Sequence, residues 1–167
     1  ASTVGEAFFK AEEATQAKLP LSGTVLISVN DRDKAELEEV ARGFASCGVR
    51  IIATEGTSNA LTAAGIPAQR VAKINEGRPN VLDSITNGEV SIIVNTPLGK
   101  KGAVDDSYIR KAAIKGRIPY MTTMAAAKAT VEGIRAANDP DTKGVRSLQE
   151  FHAAITDAEY AAAGTGA

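Results

Sequence analysis

The chain has 167 residues, 44% apolar and 23% charged, which fits one globular domain with a sizeable core and excludes disorder as its main state. Nineteen Lys and Arg against twenty Asp and Glu leave a formal charge of −1, excluding a whole-domain electrostatic footprint for duplex nucleic acid or an anionic membrane. One cysteine, Cys47, and one histidine, His152, exclude an intrachain disulfide and leave too few soft ligands for zinc. No apolar run approaches the ~20 residues that cross a bilayer. Residues 1–7 show neither a signal-peptide pattern nor an initiator methionine, so the expectation is a piece of a larger protein from the reducing cytoplasm.

Val4, Ala7, Phe8, Ala11 and Ala14 predict a first helix running to Leu19 and stopped by Pro20. Apolar strands then alternate with helices. Strands are expected at Thr24–Ser28, Val49–Ala53, Arg70–Lys73, Val90–Val94 and Pro119–Thr122. Between them, helices are expected at Lys34–Cys47 (Leu37, Val40, Ala41 and Phe44 inward), Ser58–Ala64, Val81–Asn87 and Ser107–Lys115. Gly48, Gly65, Gly88 and Gly116 act as their stops. A long Ala-rich helix follows at Met124–Ala137, then a surface loop over Asn138–Gly144. Val145–Ser147 reads as an edge strand, Leu148–Ala158 as a last helix, and the residues from Ala161 as a disordered tail. The alternation predicts an α/β domain of three layers, a mostly parallel sheet flanked by helices on both faces.

In such sheets ligands bind outside the carboxyl ends of the strands. Those ends carry Ser28, Thr54, Lys73, Asn95-Thr96 and Thr122-Thr123. Thr54-Glu55-Gly56-Thr57-Ser58 stands at a helix start, where free N–H groups and the helix dipole favour an anion. Gly56 admits a close backbone approach, Thr54 and Thr57 can donate, and Lys34 and Lys73 supply charge. This set suits a phosphate monoester. On the residues alone, plain helix capping by the threonines with both lysines solvated stays open. Asp31, Asp33 and Glu36 are read as first-turn acids before a magnesium site, and Leu98–Gly102 as a basic turn without phosphate-loop spacing. Cys47 reads as a packing residue, and His152 has no identifiable catalytic partner.

Leu21–Val29, Asp33-Lys34, Thr54–Thr57, Lys73–Asn80 (Lys-Ile-Asn-Glu-Gly-Arg-Pro-Asn), Ile93–Thr96 and Asp106–Arg110 occur in an order and spacing similar to a known family. From about Val4 to Ala154 the chain resembles the C-terminal allosteric domain of the carbamoyl-phosphate synthase large chain. The resemblance implies a methylglyoxal-synthase-like fold. It implies a regulatory role, binding UMP or IMP as effector to control carbamoyl phosphate synthesis for pyrimidines and arginine. Lys34, Thr54, Gly56, Thr57 and Lys73 would hold the effector phosphate, with Ser28, Asn95 and Thr96 near ribose or base. Residues 1–20 would be a helix and linker from a preceding domain, 21–158 the effector domain, and 159–167 the disordered tail.

No catalytic residue, cofactor or metal is implied within this piece. The parent would be a cytoplasmic, glutamine-hydrolysing ligase using ATP and magnesium, with a glutaminase small chain as partner. Where some members have a second threonine this chain has Pro97, and where ornithine-responsive members have an aspartate it has Met121. The alternative is a methylglyoxal synthase-type lyase acting on dihydroxyacetone phosphate, which needs a carboxylate base where this chain has Arg78. The IMP cyclohydrolase half of a bifunctional purine enzyme shares the Thr-x-Gly-Thr stretch but not the later segments.

Overall fold

The computed structural model describes residues 1–15, 17–140 and 144–153, with 99–103 as backbone only. Five parallel strands are ordered β3-β2-β1-β4-β5: β1 (Thr24–Val29), β2 (Arg50–Thr54), β3 (Gln69–Val71), β4 (Ile92–Thr96) and β5 (Tyr120–Met121). The helices are α1 (Val4–Glu13), α2 (Lys34–Ser46), α3 (Glu55–Ala63), α4 (Val81–Thr86), α5 (Gly99–Gly116), α6 (Met124–Asn138) and α7 (Leu148–Ala153). Strand side chains alternate between faces, so each central strand feeds two cores. Val25, Ile27, Ala53, Ile92 and Val94 pack on α2, α3 and α6, while Leu26, Ile52 and Ile93 pack on α4 and α5. The expected three-layer sandwich is what forms. The chain leaves β1 towards β2 and β3, then returns across it to β4 and β5, and this reversal opens a crevice between the carboxyl ends of β1 and β4.

The face of α1 differs from the expected one. Val4 is 81% exposed, and Ala7, Ala11 and Ala14 also face outward. Of the expected stripe Phe8 does turn inward, and Gly5, Glu6 and Phe9 join it in place of the others. The cause is a close helix crossing: a Cβ on Gly5 would lie 2.5 Å from the Glu132 carbonyl oxygen of α6, and one on Gly133 would lie 3.1 Å from Phe8. The helix ends at Glu13, and Leu19 then enters the core. Arg146 reaches Ser2 Oγ at 3.1 Å and Lys10 reaches the Gly144 carbonyl at 2.9 Å, so the segment before α7 is fastened to α1.

Buried Glu6 accepts from Lys10 Nζ and from the Ser2 N–H. The lysine hydrogen bond first, then the Ser2 N–H, bring its pKa down from 4.5 to about 2 against the opposing effect of burial. A depressed carboxyl contributes stability above its unfolded pKa and loses it as pH falls through the folded one. Stability should therefore decline between about pH 4.5 and pH 2 in the natural chain. Denaturant titrations across that window should show a shallower decline for Glu6→Gln.

Smaller differences have local causes. α5 starts at Gly99, so Leu98–Gly102 leads into and opens a helix where a turn was expected. That helix ends on Arg117, which takes the left-handed conformation (φ 53°) in place of Gly116. Val145–Ser147 forms no strand: Val145 is fully exposed, and Ser147 Oγ accepts from Glu150 N at 3.2 Å to cap α7. The expected end of the last helix (154–158), loop residues 141–143 and the tail 159–167 lie outside the described residues.

Candidate functional site

Three strand ends build the rim of the crevice. Ser28 and Asn95 are register partners across β1 and β4. From β2, Thr54 donates its hydroxyl to Ser28 Oγ at 3.2 Å. Thr54, Ser28 and Asn95 thus form a polar row across three adjacent strands. α3 begins at Glu55, three residues earlier than its composition suggests, and Thr54 is its N-cap with extended backbone but no side-chain cap bond. The first-turn N–H groups of α3 therefore have no cap from their own N-cap residue. Buried Thr57, in that turn, accepts the Val29 N–H at 3.1 Å, which joins α3 to β1 and leaves the Thr57 hydroxyl proton to donate.

Lys34 opens α2, and its Nζ lies 3.7 Å from where a Cβ on Gly56 would stand. The ammonium thus sits against the first turn of α3. It pairs with Asp31 at 2.7 Å, whose side chain is 92% exposed. The Lys34 hydrogen bond, then its charge, hold the Asp31 carboxyl below its ordinary value, and the charge of Lys73 adds to this. Lys73 is exposed at the end of the β3 segment, with its backbone N–H donated to Glu76 at 2.9 Å. Lys34, Lys73, Thr54, Gly56 and Thr57 thus lie around one end of the sheet. Asp31 stands in a helical first turn, as the sequence suggests, and is also the counter-ion of Lys34.

Because nothing else lies within 4 Å of a Cβ at Gly56, alanine fits there without a clash. Gly56→Ala should leave folding stability unchanged or raise it by roughly 0.4–1 kcal/mol, since alanine reduces unfolded-state entropy. The same methyl group would stand over the α3 N–H groups and should weaken phosphate binding roughly tenfold, one lost charge-assisted hydrogen bond. Calorimetry beside chemical denaturation checks both; a loss of stability instead would mean that the glycine serves the fold.

Thr96 is directed differently from Asn95. Its Oγ1 accepts from both Asn30 N and Asn30 Nδ2 at 3.1 Å, clamping the loop after β1 to β4. Asn95 instead enters a network with buried Asp106 and exposed Arg110 of α5 and half-buried Tyr120 of β5. Its Nδ2 donates to Asp106 Oδ1 at 3.1 Å and to the Tyr120 hydroxyl at 2.8 Å. The Tyr120 hydroxyl donates to Asp106 Oδ1, and Arg110 reaches Asp106 Oδ2 at 2.9 Å while lying over the Tyr120 ring. Burial pushes the Asp106 carboxyl up, but hydrogen bonds from Tyr120, Arg110 and Asn95 outweigh it and hold it below its ordinary value. Burial, then the hydrogen bond to Asp106, drive Tyr120 well above the usual phenol range. The i, i+4 spacing of Asp106 and Arg110 was the one sequence signal for this network.

Met121 is packed in the core. A groove of about 1250 Å³ runs along β2 and β3 but contains none of the candidate residues, and its charged lining is only Arg50, Arg70 and Glu89. The converging donors are at the rim, not there. Among the described residues no three His, Cys, Asp or Glu side chains converge on a metal position, and no helix is long and apolar enough to cross a membrane.

A parallel α/β domain with polar strand ends at its topological reversal is the class defined by this geometry. Residues 36–122 match the family model of the MGS-like domain, and the chain belongs to that family. Its relatives include the carbamoyl phosphate synthase large chain of Methanothrix thermoacetophila, 49% identical over 149 residues and 89% of this chain. The C-terminal section of the corresponding large chain from Aquifex aeolicus is 43% identical over 152 residues, again 89% of this chain. The chain spans 14% of the first and 28% of the second. The crystal structure of methylglyoxal synthase from Elizabethkingia anophelis aligns with a TM-score of 0.54 at 15% identity, covering 83% of this chain and 95% of that one. The shared architecture is the methylglyoxal synthase fold.

Proposed function

We propose that this domain regulates a carbamoyl phosphate synthase large chain by binding a nucleoside monophosphate, UMP or IMP, at the carboxyl rim of the sheet. The observation that carries the reading is the Lys34 ammonium against Gly56 at the open start of α3, beside the Thr54–Ser28–Asn95 row. The phosphate accepts from the α3 N–H groups, the Thr57 hydroxyl and both lysines; Asn95 meets the sugar or base. Asp31 releases Lys34 as the phosphate arrives. Effector and catalytic sites are then coupled through the rest of a cytoplasmic parent that uses ATP and magnesium and receives ammonia from a glutaminase small chain. Allosteric coupling of this kind amounts to ~1–3 kcal/mol.

The carboxylates that follow β3 support binding rather than catalysis: Glu76 accepts the Lys73 N–H, and Asp83, in the first turn of α4, accepts the Asn80 N–H at 2.9 Å while facing Arg78. Parallel calorimetric titration of the chain with UMP, IMP, uridine and ornithine tests the reading. UMP or IMP should bind and uridine should bind far more weakly, whereas ornithine, with core-packed Met121 where an aspartate would be, should give no heat. Equal binding of uridine and UMP, or methylglyoxal formed from dihydroxyacetone phosphate, would overturn the reading.

A further inference from the structure

The network at the end of β4 has a donor and acceptor sense that can be worked out completely. Asn95 is 5% exposed and Asp106 8%. Both Nδ2 protons of Asn95 are engaged, one on Asp106 Oδ1 and one on the Tyr120 oxygen. Tyr120 gives its own proton to the same carboxylate oxygen, and Arg110 neutralises the other. Turning the Asn95 amide over would set its oxygen against an ionised carboxylate and would leave Tyr120 without its donor. The amide therefore has one orientation. No donor among the described residues reaches its Oδ1, and that atom is not sealed away from solvent.

Asn95 is the register partner of Ser28, whose hydroxyl meets Thr54 at the start of α3. Thr54 and Asn95 are thus two strand spacings apart, about 10 Å. We infer that Asp106 and Tyr120 hold Asn95 as an obligatory acceptor, so that the rim selects a phosphate monoester whose organic part carries an O–H or N–H donor able to reach Asn95 while the phosphate stands at the start of α3. Sugar phosphates and nucleotides meet that requirement, and inorganic phosphate does not. Asp106 and Tyr120 are positioning residues, acting on selectivity through Asn95. The inference rests on the rim being the ligand site, as in the reading above.

The test uses the 167-residue chain with ribose 5-phosphate and inorganic phosphate as paired calorimetric probes. Asp106→Asn removes the charge that fixes the amide. Tyr120→Phe keeps the ring under Arg110 and covers the case in which the first variant fails to fold. Each variant should lose roughly tenfold in affinity for ribose 5-phosphate and keep inorganic phosphate within about twofold. The Asn95 side-chain amide protons should exchange slowly in the natural chain and rapidly in both variants. Equal losses for the two probes, or no loss for ribose 5-phosphate, would overturn this inference while leaving the phosphate site intact. A natural chain that binds neither probe would overturn the rim as a ligand site and this inference with it.

Discussion

Replacing Lys73 by alanine is expected to weaken nucleoside monophosphate binding by roughly 1.5–3 kcal/mol, the range of a charge-assisted hydrogen bond. Folding should change by no more than about 0.5 kcal/mol, because surface substitutions away from caps and core rarely do more. The fold uses the backbone of Lys73, whose N–H caps onto Glu76, and the exposed ammonium carries only charge. Lys34→Ala should weaken binding at least as much, since it leaves the Asp31 carboxylate beside the phosphate without its 2.7 Å partner. Asp31→Asn should act in the opposite direction and tighten binding, as Lys34 then has no competing anion. Titration of the three variants, each with a denaturation curve, separates these outcomes. Matching losses of binding and stability would make the lysines structural, and weaker binding in Asp31→Asn would show that the carboxylate contacts the ligand.

Gly5→Ala is expected to destabilise the chain by ~1–3 kcal/mol, the usual range for overpacking a well-fitted contact. The new methyl group would stand 2.5 Å from a backbone carbonyl of α6, which cannot rotate aside as a side-chain tip can. α1 must lift from α6, and Phe8 then loses its seat over Gly133. Ala11→Ser, on the exposed side of the same helix, should stay within about 0.5 kcal/mol. Urea unfolding of the pair gives the comparison. Equal midpoints would mean that α1 is not held to the domain through this crossing.

The central strands were legible because burial on both faces leaves an almost unbroken apolar run, as in Thr24–Ser28 and Ile92–Val94. α2 was legible because Leu37, Val40, Ala41 and Phe44 repeat at helical spacing, and all four are buried. The start of α3 was read too late because Gly56 and Thr57 have poor helix propensity, although Thr54 supplies the N-cap position. The face of α1 was misread because an apolar count treats Gly5 as nothing, while close helix packing selects it for having no side chain. At the rim, the strand-end rule brought Ser28, Thr54 and Asn95 to one end of the sheet before any pairing was known. It could not separate Asn95 from its neighbour Thr96. Asn95 meets Asp106 only once α5 has folded back on β4, and Thr96 meets Asn30, 66 residues away, only once β1 and β4 have paired.

The seating of α1 on α6 also fixes an order of events while the chain is made. α1 leaves the ribosome before any strand of the domain, yet its partner surface around Glu132 and Gly133 is synthesised after all five strands. At ~5–20 residues per second the delay amounts to several seconds or more. Throughout that interval Phe8 and Phe9 have no α6 to cover them, and α1 is seated only after the whole sheet has been made.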